Sequence, residues 1–388
     1  MCLSEAKGMD IKMNAIILAG GQGSRMIASK QLIHKPCLPI FGIPNIERII
    51  IMLKDYGIND ISVISGKYSD QYTYLHTKYN CSIISDPKTS ISTLYGIYHV
   101  KNEINDTFII EGDVVLAENI FIYKPYSYYY VMKYPNPESD AWKPITDITG
   151  RITSFEIGHF YEPCIFGISF WSKKDAKYIR NFINQIGTLE NLQNRNKFWD
   201  DYFLDIIDTL PIYTYEIPSD TAAEMNNAYE YKLAQELCYQ YYLTPNKYFM
   251  NLNDYNNHFS FEINQKQIII YIKKLLEDYN LKHPENIHNL DQPIDFAPNE
   301  YSYIIKKEGQ QIGCFSLVTE KRYLLLRRIY IDKPYRNQLA GSKIVKKIII
   351  FSKLINKELR VNVYDTQASH FYKRLGFKTN FVNYVIRG

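Results

Sequence analysis

The residues best equipped for chemistry fall into three groups. The first is a glycine-rich run, Leu18-Ala19-Gly20-Gly21-Gln22-Gly23-Ser24-Arg25-Met26, directly after the apolar segment Ala15-Ile16-Ile17-Leu18. Such a turn lets backbone N–H groups, from Ala19 to Ser24, approach phosphate oxygens closely. A dinucleotide loop of the Rossmann type needs a third glycine where Met26 stands, and a Walker loop needs Gly-Lys-Ser/Thr, which is absent. What remains is a triphosphate loop with its own cation. The Arg25 guanidinium can fork onto β- and γ-phosphates, and Lys35, ten residues on, can set a compact charge beside the α-phosphate. The second group is Glu111-Gly112-Asp113, which ends the apolar run Phe108-Ile109-Ile110. The third is Arg336-Asn337-Gln338-Leu339-Ala340-Gly341-Ser342-Lys343, reached from the run Leu324 to Ile331 through Pro334 and Tyr335. It opens a helix, and N–H groups at a helix N-terminus form an anion site suited to a pyrophosphate.

These groups need elements to hold them. From Met13 the periodicity is β/α: strands at Ala15–Leu18, Ile61–Ile64, Cys81–Ile84 and Phe108–Ile110, with helices from Asn45 (a plausible N-cap) to Gly57 and from Ser92 to Glu103. Short apolar strands alternating with helices imply a parallel sheet with right-handed crossovers. Ligands then bind beyond the carboxyl ends of the strands, where the first two groups lie. A polar, aromatic, poorly periodic stretch around Pro245 reads as a linker, 241–254, between a first domain at 13–240 and a second at 255–388. The second domain has an α+β order: helix Gln265–Tyr279, strands Tyr301–Ile305, Gln311–Val318 and Tyr323–Ile331, helix Gly341–Lys353, strand Leu359–Tyr364, helix Gln367–Leu375. The fold class expected is α/β, a Rossmann-like domain with a mixed, mainly parallel sheet, followed by the α+β domain.

Composition narrows the function. The 388 residues suggest two or three domains at roughly 150 residues each. Apolar residues at 46% and charged residues at 22% argue against disorder and fibres. A net charge of +4 is too small to favour nucleic acid. The 35 tyrosines fit coding bias better than a functional array. The six cysteines, at 2, 37, 81, 164, 238 and 314, show no C-x-x-C spacing and fit a reducing cytosol. The first twelve residues have no signal-peptide core and read as an extension. No apolar run approaches the ~20 residues that span a bilayer. The expected protein is cytoplasmic and acts on small molecules, with no nucleic-acid partner and no membrane insertion; a homo-oligomer is left open.

Gly20 to Met26 with Lys35 resembles the nucleotidyltransferase family that makes nucleotide-activated sugars and alcohols, whose loop reads G-G-x-G-[ST]-R-[LM] with a lysine shortly after. Most members have proline before that lysine; here His34 stands there. The resemblance covers roughly residues 13–235. It implies that Asp113 is a metal aspartate, holding Mg²⁺ that keeps waters and bridges phosphate oxygens, with Glu111 behind it or at the core edge. Within the family the chain is most similar to lic-type phosphocholine cytidylyltransferases, on Asp140-Ala141-Trp142, Ile165 to Trp171, Phe198-Trp199-Asp200-Asp201 and Ala223-Glu224-Met225-Asn226. That likeness implies CTP as donor, with Glu224 and Asn226 as further metal ligands, although relatives carry aspartate where Asn226 stands. It places Lys133 near the acceptor phosphate and Ser90, Ser92 and Thr93 near the base, each equally able to cap the following helix. Trp142, Phe198 and Trp199 with Asp200 and Asp201 would form an acceptor box, since aromatic faces attract a cationic amine by about 0.5–2 kcal/mol each.

The third group, with Asp365 to Phe377, resembles the GNAT acetyltransferases, whose loop is R/Q-x-x-G-x-G/A and whose last helix reads A-x-x-F-Y-x-x-x-G-F. Ala368 to Phe377 match, and so do Arg336 and Gly341. Leu339 replaces the first loop glycine and is expected to crowd the phosphates or force a negative φ. The resemblance covers about 255–388 and implies acetyl-CoA bound at Ile329, Ile331 and Arg336 to Ser342, with Tyr372 as general acid. Together the motifs imply a bifunctional enzyme that transfers CMP from CTP to phosphocholine, phosphoethanolamine or 2-aminoethylphosphonate and an acetyl group to an amine, in cell-surface glycan or lipid decoration. Choline nitrogen is quaternary and cannot be acetylated, so one acceptor serving both domains must carry a free amine. A sugar-1-phosphate nucleotidylyltransferase is the alternative enzyme. A catalytically weak nucleotide and acetyl-CoA binder, suggested by Asn226 and Leu339, is the alternative of another class.

Overall fold

The computed structural model describes residues 12–21, 33–86, 88, 91–134, 140–252, 258–285, 287–336, 338–363, 366–379 and 384–386. The chain divides into two compact units between Cys238 and Tyr239. In chain order the first unit contains β1 (Asn14–Leu18), β2 (Pro39–Ile40), β3 (Ile43–Pro44), α1 (Asn45–Tyr56), β4 (Asp60–Ile64), α2 (Tyr74–Tyr79), β5 (Ser82–Ile84), α3 (Thr93–Val100), β6 (Thr107–Glu111) and β7 (Val114–Leu116). It continues with β8 (Tyr128–Met132), β9 (Ala141–Thr146), β10 (Ile152–Gly158), β11 (Cys164–Trp171), α4 (Lys173–Ile186), α5 (Leu189–Gln193), β12 (Tyr213–Ile217) and β13 (Ala222–Glu224), and the division falls inside α6 (Ala228–Tyr242).

Seven strands form its central sheet in the order β12-β8-β11-β6-β1-β4-β5. The pairs β1–β4, β1–β6, β4–β5 and β8–β12 are parallel, and β11 is antiparallel to both neighbours. Strands covered on both faces need apolar side chains on both, which explains the unbroken apolar runs of β1 and β6 and the mostly apolar β4, where only the buried Ser62 interrupts Ile61 to Ile64. α1 repeats Ile46, Ile49, Ile50 and Leu53 on the buried face and stops at Gly57, whose φ of 108° suits glycine and whose N–H meets the Leu53 and Lys54 carbonyls. Pro44, not Asn45, occupies the N-cap position. Asn45 is wholly buried, and its side-chain amide donates to the Val114 carbonyl at 2.6 Å, beside Asp113.

Two registers build the site. Leu18 pairs with Glu111 in the parallel β1–β6 ladder, so the glycine turn after β1 and Gly112-Asp113 after β6 emerge side by side. The Gly112 N–H donates to the Leu18 carbonyl at 3.0 Å, and a Cβ at 112 would lie 2.8 Å from Pro36 and 3.0 Å from that carbonyl oxygen. Only glycine permits this approach. The ribbon β7–β13 then sets Glu224 opposite Val114, and the Met225 N–H donates to the Asp113 carbonyl.

The second unit contains α7 (Pro245–Met250), β14 (Phe259–Glu262), α8 (Gln265–Lys282), β15 (Glu300–Lys307), β16 (Gln310–Thr319), β17 (Tyr323–Ile331), α9 (Ala340–Leu354), β18 (Glu358–Val361), α10 (Thr366–Arg374), β19 (Lys378–Thr379) and β20 (Tyr384–Ile386). Its sheet runs β14-β15-β16-β17-β18-β20-β19, antiparallel except for the parallel pair β17–β18. That pairing ends at Leu326 with Val361, although β17 continues to Ile331, so the two strands part company midway. The stretch 241–254, expected as a linker, instead supplies α7 to the unit's core. Phe249 is 1% exposed and packs on Phe261, Tyr303, Phe315 and Phe351 at ring-centroid distances of 5.1 to 5.7 Å. Its aromatics stand in a polar run without period, so only the folded sheet reveals where they go. β14 was likewise not anticipated. No helix among the described residues is long and apolar enough to cross a membrane.

Gly313 of β16 lies against the β17 backbone, and a Cβ there would run into the Tyr330 carbonyl oxygen. Gly313→Ala is expected to destabilise the second unit by about 3 kcal/mol, the upper end of overpacking costs. Calorimetric scanning would show this as a lower transition temperature for that unit.

Candidate active site

A cleft of about 410 Å³ opens where β1 and β6 end. Ala19, Gly20 and Gly21 line one side, Ser92 and Thr93 another, and Lys35, Glu111, Asp113 and Asn226 the floor. Lys35 sits in a short 3₁₀ turn, Lys35–Cys37, and its Nζ donates to Asp113 Oδ2 at 2.6 Å and to Asn226 Oδ1 at 3.1 Å. Asn226 turns its Nδ2 to Glu224 Oε2 at 3.1 Å. The other Glu224 oxygen accepts from the Tyr134 hydroxyl at 2.9 Å and the Gly167 N–H at 3.4 Å. Four residues from three separated segments thus form one chain of hydrogen bonds, and the Asn226 amide bridges a cation and a carboxylate.

The electrostatics are acidic. Burial, then Asp113, Asp200 and Glu224, drives the Glu111 carboxyl well above the usual carboxylate range, and Lys35 opposes them. Burial and Asp113 push Glu224 up to about 7, against hydrogen bonds from Tyr134, Asn226 and Gly167. Asp200 is also pushed up to about 7, by burial first. Among the described residues no group of three or more His, Cys, Asp or Glu is arranged as a metal cage. Asp113 at the cleft, with Glu224 behind Asn226 and off the cleft lining, is the carboxylate pair whose chemistry fits a hard divalent ion that keeps waters and takes phosphate oxygens. Asn226 presents its amide oxygen to Lys35, so here it serves as a bridge between charged groups.

The remaining expected residues scatter. Gly23, Ser24, Arg25 and Ser90 lie outside the described residues. The Ser92 hydroxyl caps α3, accepting from the Tyr95 N–H, and donates to the Leu192 carbonyl; Thr93 Oγ1 accepts from the Trp199 N–H. Trp199 does not wall an acceptor box: it is 2% exposed, with Trp171 and Phe203 against it at 5.6 and 5.2 Å. An indole is worth more in the core than at a wet cleft. Trp142 packs on Phe155 at 5.5 Å in the β9–β10 ribbon and does not line the cleft. Lys133 is exposed and also lies off it. Phe198 does line it, 56% exposed, and its N–H donates to Asp201. Asp201 therefore closes a local turn, while Asp200 faces Glu111 and Tyr129 electrostatically. Arg195 and Lys197, which sequence reasoning missed, line the cleft; two cations just before the Phe198 motif were the available signal. Tyr134 left no signal, since its role depends on Glu224.

In the second unit Ile329 and Ile331 lie on β17, where it has parted from β18, and the loop follows. Leu339 holds φ +61°, the left-handed conformation a glycine would take, and is 66% exposed. The expected switch to negative φ does not occur, because the N-terminus of α9 requires that geometry and its side chain escapes to solvent. Arg336 is engaged: Nε donates to the Ile331 carbonyl at 2.7 Å and the guanidinium pairs with Asp278 at 2.5 Å. Gln338 bonds the Pro334 carbonyl, Ala340 and Ser342 open α9, and Gly341 lies close to Phe371 and Ile331. Asn337 lies outside the described residues. Tyr372 is 5% exposed, edge-on to Phe371 and Phe377.

Comparison with known proteins bears out both resemblances. The family model of the MobA-like NTP transferase domain matches residues 15–124, and that of the acetyltransferase (GNAT) domain matches residues 298–379. The choline-phosphate cytidylyltransferase of Haemophilus influenzae is 35% identical over 237 residues, 61% of this chain and 99% of the relative. The 2-aminoethylphosphonate cytidylyltransferase of Lancefieldella rimae is 30% identical over 226 residues, 56% of this chain and 90% of the relative. Among solved structures, the CTP:phosphocholine cytidylyltransferase LicC of Streptococcus pneumoniae aligns with a TM-score of 0.54 at 26% identity, over 58% of this chain and 99% of that one.

Glu224 and Asp200 bind protons more tightly folded than unfolded, where carboxyls titrate near about 4. The stability they contribute is complete below about pH 4 and is lost as pH rises through about 7. The first unit's unfolding free energy is therefore expected to fall across that window, and millimolar Mg²⁺ to reverse the fall by binding the ionised carboxylates. All three tryptophans lie in this unit, so urea titrations followed by tryptophan fluorescence report it alone. Leu339→Gly should remove left-handed strain of about 1 kcal/mol and tighten acyl-CoA binding, read by calorimetry and coenzyme titration.

Proposed function

Because the chain belongs to the LicC-type cytidylyltransferase family and carries a GNAT acetyltransferase domain, we propose that it transfers CMP from CTP to a small phosphate or phosphonate and an acetyl group from acetyl-CoA to an amine. The acceptor class is phosphocholine, phosphoethanolamine or 2-aminoethylphosphonate, supported by the substrates named for the two relatives. The observation that carries the reading is the Lys35–Asp113–Asn226–Glu224 chain beside the Gly20–Gly21 turn at the end of a parallel sheet.

The acceptor oxygen is already anionic, so it attacks the α-phosphorus without a strong base. A P–O bond forms, the bond to the β-phosphate bridge breaks, and pyrophosphate leaves. The chain's work is positioning and charge neutralisation. The glycine turn presents N–H groups to the triphosphate, and Arg25 adds its fork to the β- and γ-phosphates. Lys35, held in the cleft by Asp113 and Asn226, would set its ammonium beside the α-phosphate. Asp113 and Glu224 would hold Mg²⁺, which when bound neutralises phosphate charge. Phe198, which lines the cleft, remains as a contact for the acceptor's ammonium end. In the second unit the amine lone pair attacks the thioester carbonyl, C–N forms as C–S breaks, Tyr372 protonates the thiolate, and the new ammonium loses its proton to water. That step needs an amine bearing hydrogen.

Pyrophosphate release should be measured with CTP, ATP, UTP and GTP against the three acceptors and a panel of sugar 1-phosphates. CTP with an aminoalkyl phosphate or phosphonate is expected to turn over. Asp113→Ala should slow it by about 100-fold or more without unfolding the protein. Turnover confined to sugar 1-phosphates would overturn the reading.

A further inference from the structure

We propose that His34 is a positioning residue for the nucleotide, clamping the Gly20–Gly21 turn in the conformation that receives the triphosphate; this rests on the cytidylyltransferase reading above. His34 is 6% exposed, yet it lines the cleft between the turn and Lys35. Its Nε2 lies 2.6 Å from the Gly21 carbonyl oxygen. A carbonyl only accepts, so Nε2 carries the proton, and Nδ1 must accept from the Tyr72 hydroxyl, its other partner. The Tyr68 ring stacks on the imidazole at 3.9 Å and 18°. The main-chain N–H of His34 donates to Gln71 Oε1 at 2.8 Å. The ring is thus fixed in place, orientation and tautomer by the segment Tyr68 to Tyr72.

The turn it holds needs holding. Gly21 is exposed, and a Cβ built on it meets nothing within 4 Å among the described residues. Among the described residues it is the His34 bond, and no packed side chain, that restrains this backbone. A turn ordered before the ligand arrives spares the nucleotide the cost of ordering it, which appears as affinity. The benefit falls on CTP and not on the acceptor, because the clamp acts on the phosphate side of the cleft.

Three variants separate the clamp from a structural role. Gln reproduces the Nε2 donor, Asn stops short of it, and Pro suits the observed φ of −66° while removing both the donor and the bond to Gln71. CTP affinity with Mg²⁺ is measured calorimetrically for wild type, His34→Gln, His34→Asn and His34→Pro, alongside kcat, each KM and thermal unfolding. His34→Asn and His34→Pro are expected to weaken CTP by about tenfold, with acceptor KM unchanged, and His34→Gln to stay within about threefold of wild type. Loss of thermal stability with CTP affinity intact in His34→Asn, or wild-type CTP affinity in His34→Pro, overturns the clamp and leaves the cytidylyltransferase reading standing. If His34→Pro does not fold, equal CTP affinity in the Asn and Gln variants overturns it. Wild-type protein that binds no CTP overturns both.

Discussion

An ammonium group placed among carboxylates is the interaction around which the first unit is organised. Glu111, Asp113 and Glu224 crowd the ends of β6 and β13, and Lys35 meets them at the cleft floor through Asp113. Burial and neighbouring charge make Glu111 and Glu224 resist ionisation, and the Lys35 cation opposes this at Glu111. Lys35 supplies one charge, directly to Asp113 and through the Asn226 amide toward Glu224. The balance at the cleft floor therefore depends on one ammonium held by Asp113 and Asn226.

The scaffold exists to keep that balance in register. A parallel ladder brings β1 and β6 to the same edge, Gly112 allows their ends to touch, and Asn45 ties the start of α1 to the Val114 carbonyl. The short β7–β13 ribbon brings Glu224 within reach of a lysine some 190 residues earlier in the chain, a separation of 191 for the Lys35–Asn226 bond. Each contact is small, but together they set distances that electrostatics then makes costly to change.

The second unit handles charge differently. Its loop arginine, Arg336, is already paired with Asp278, and Glu300, fully buried, is flanked by Arg327 and Arg328. These arginines are satisfied within the unit, which leaves the loop before α9 shaped mainly by its backbone. Leu339 illustrates this: it adopts the conformation normally left to glycine because the opening of α9 demands it, and it points into solvent.

The sequence by itself determined the two units' classes and the chemistry of their loops. Apolar runs of β1, β4 and β6 must be buried on both faces, and a glycine turn after such a strand has few uses besides phosphate. Local spacing also revealed α1, α8, α9 and the strands β15 to β17, since period and caps are local properties. It did not reveal α7, whose aromatics are buried only by a distant sheet, nor the fate of Trp199, which reads identically as ligand wall or core. It showed His34 only as a departure from proline. That imidazole becomes meaningful once Gly21 lies on one side and Tyr72 on the other, because a side chain with two different nitrogens takes its role from what each one faces. Tertiary structure decided those pairings, and with them which charges meet, since contact between residues tens to hundreds of positions apart depends on how strands align and not on any pattern readable within a window.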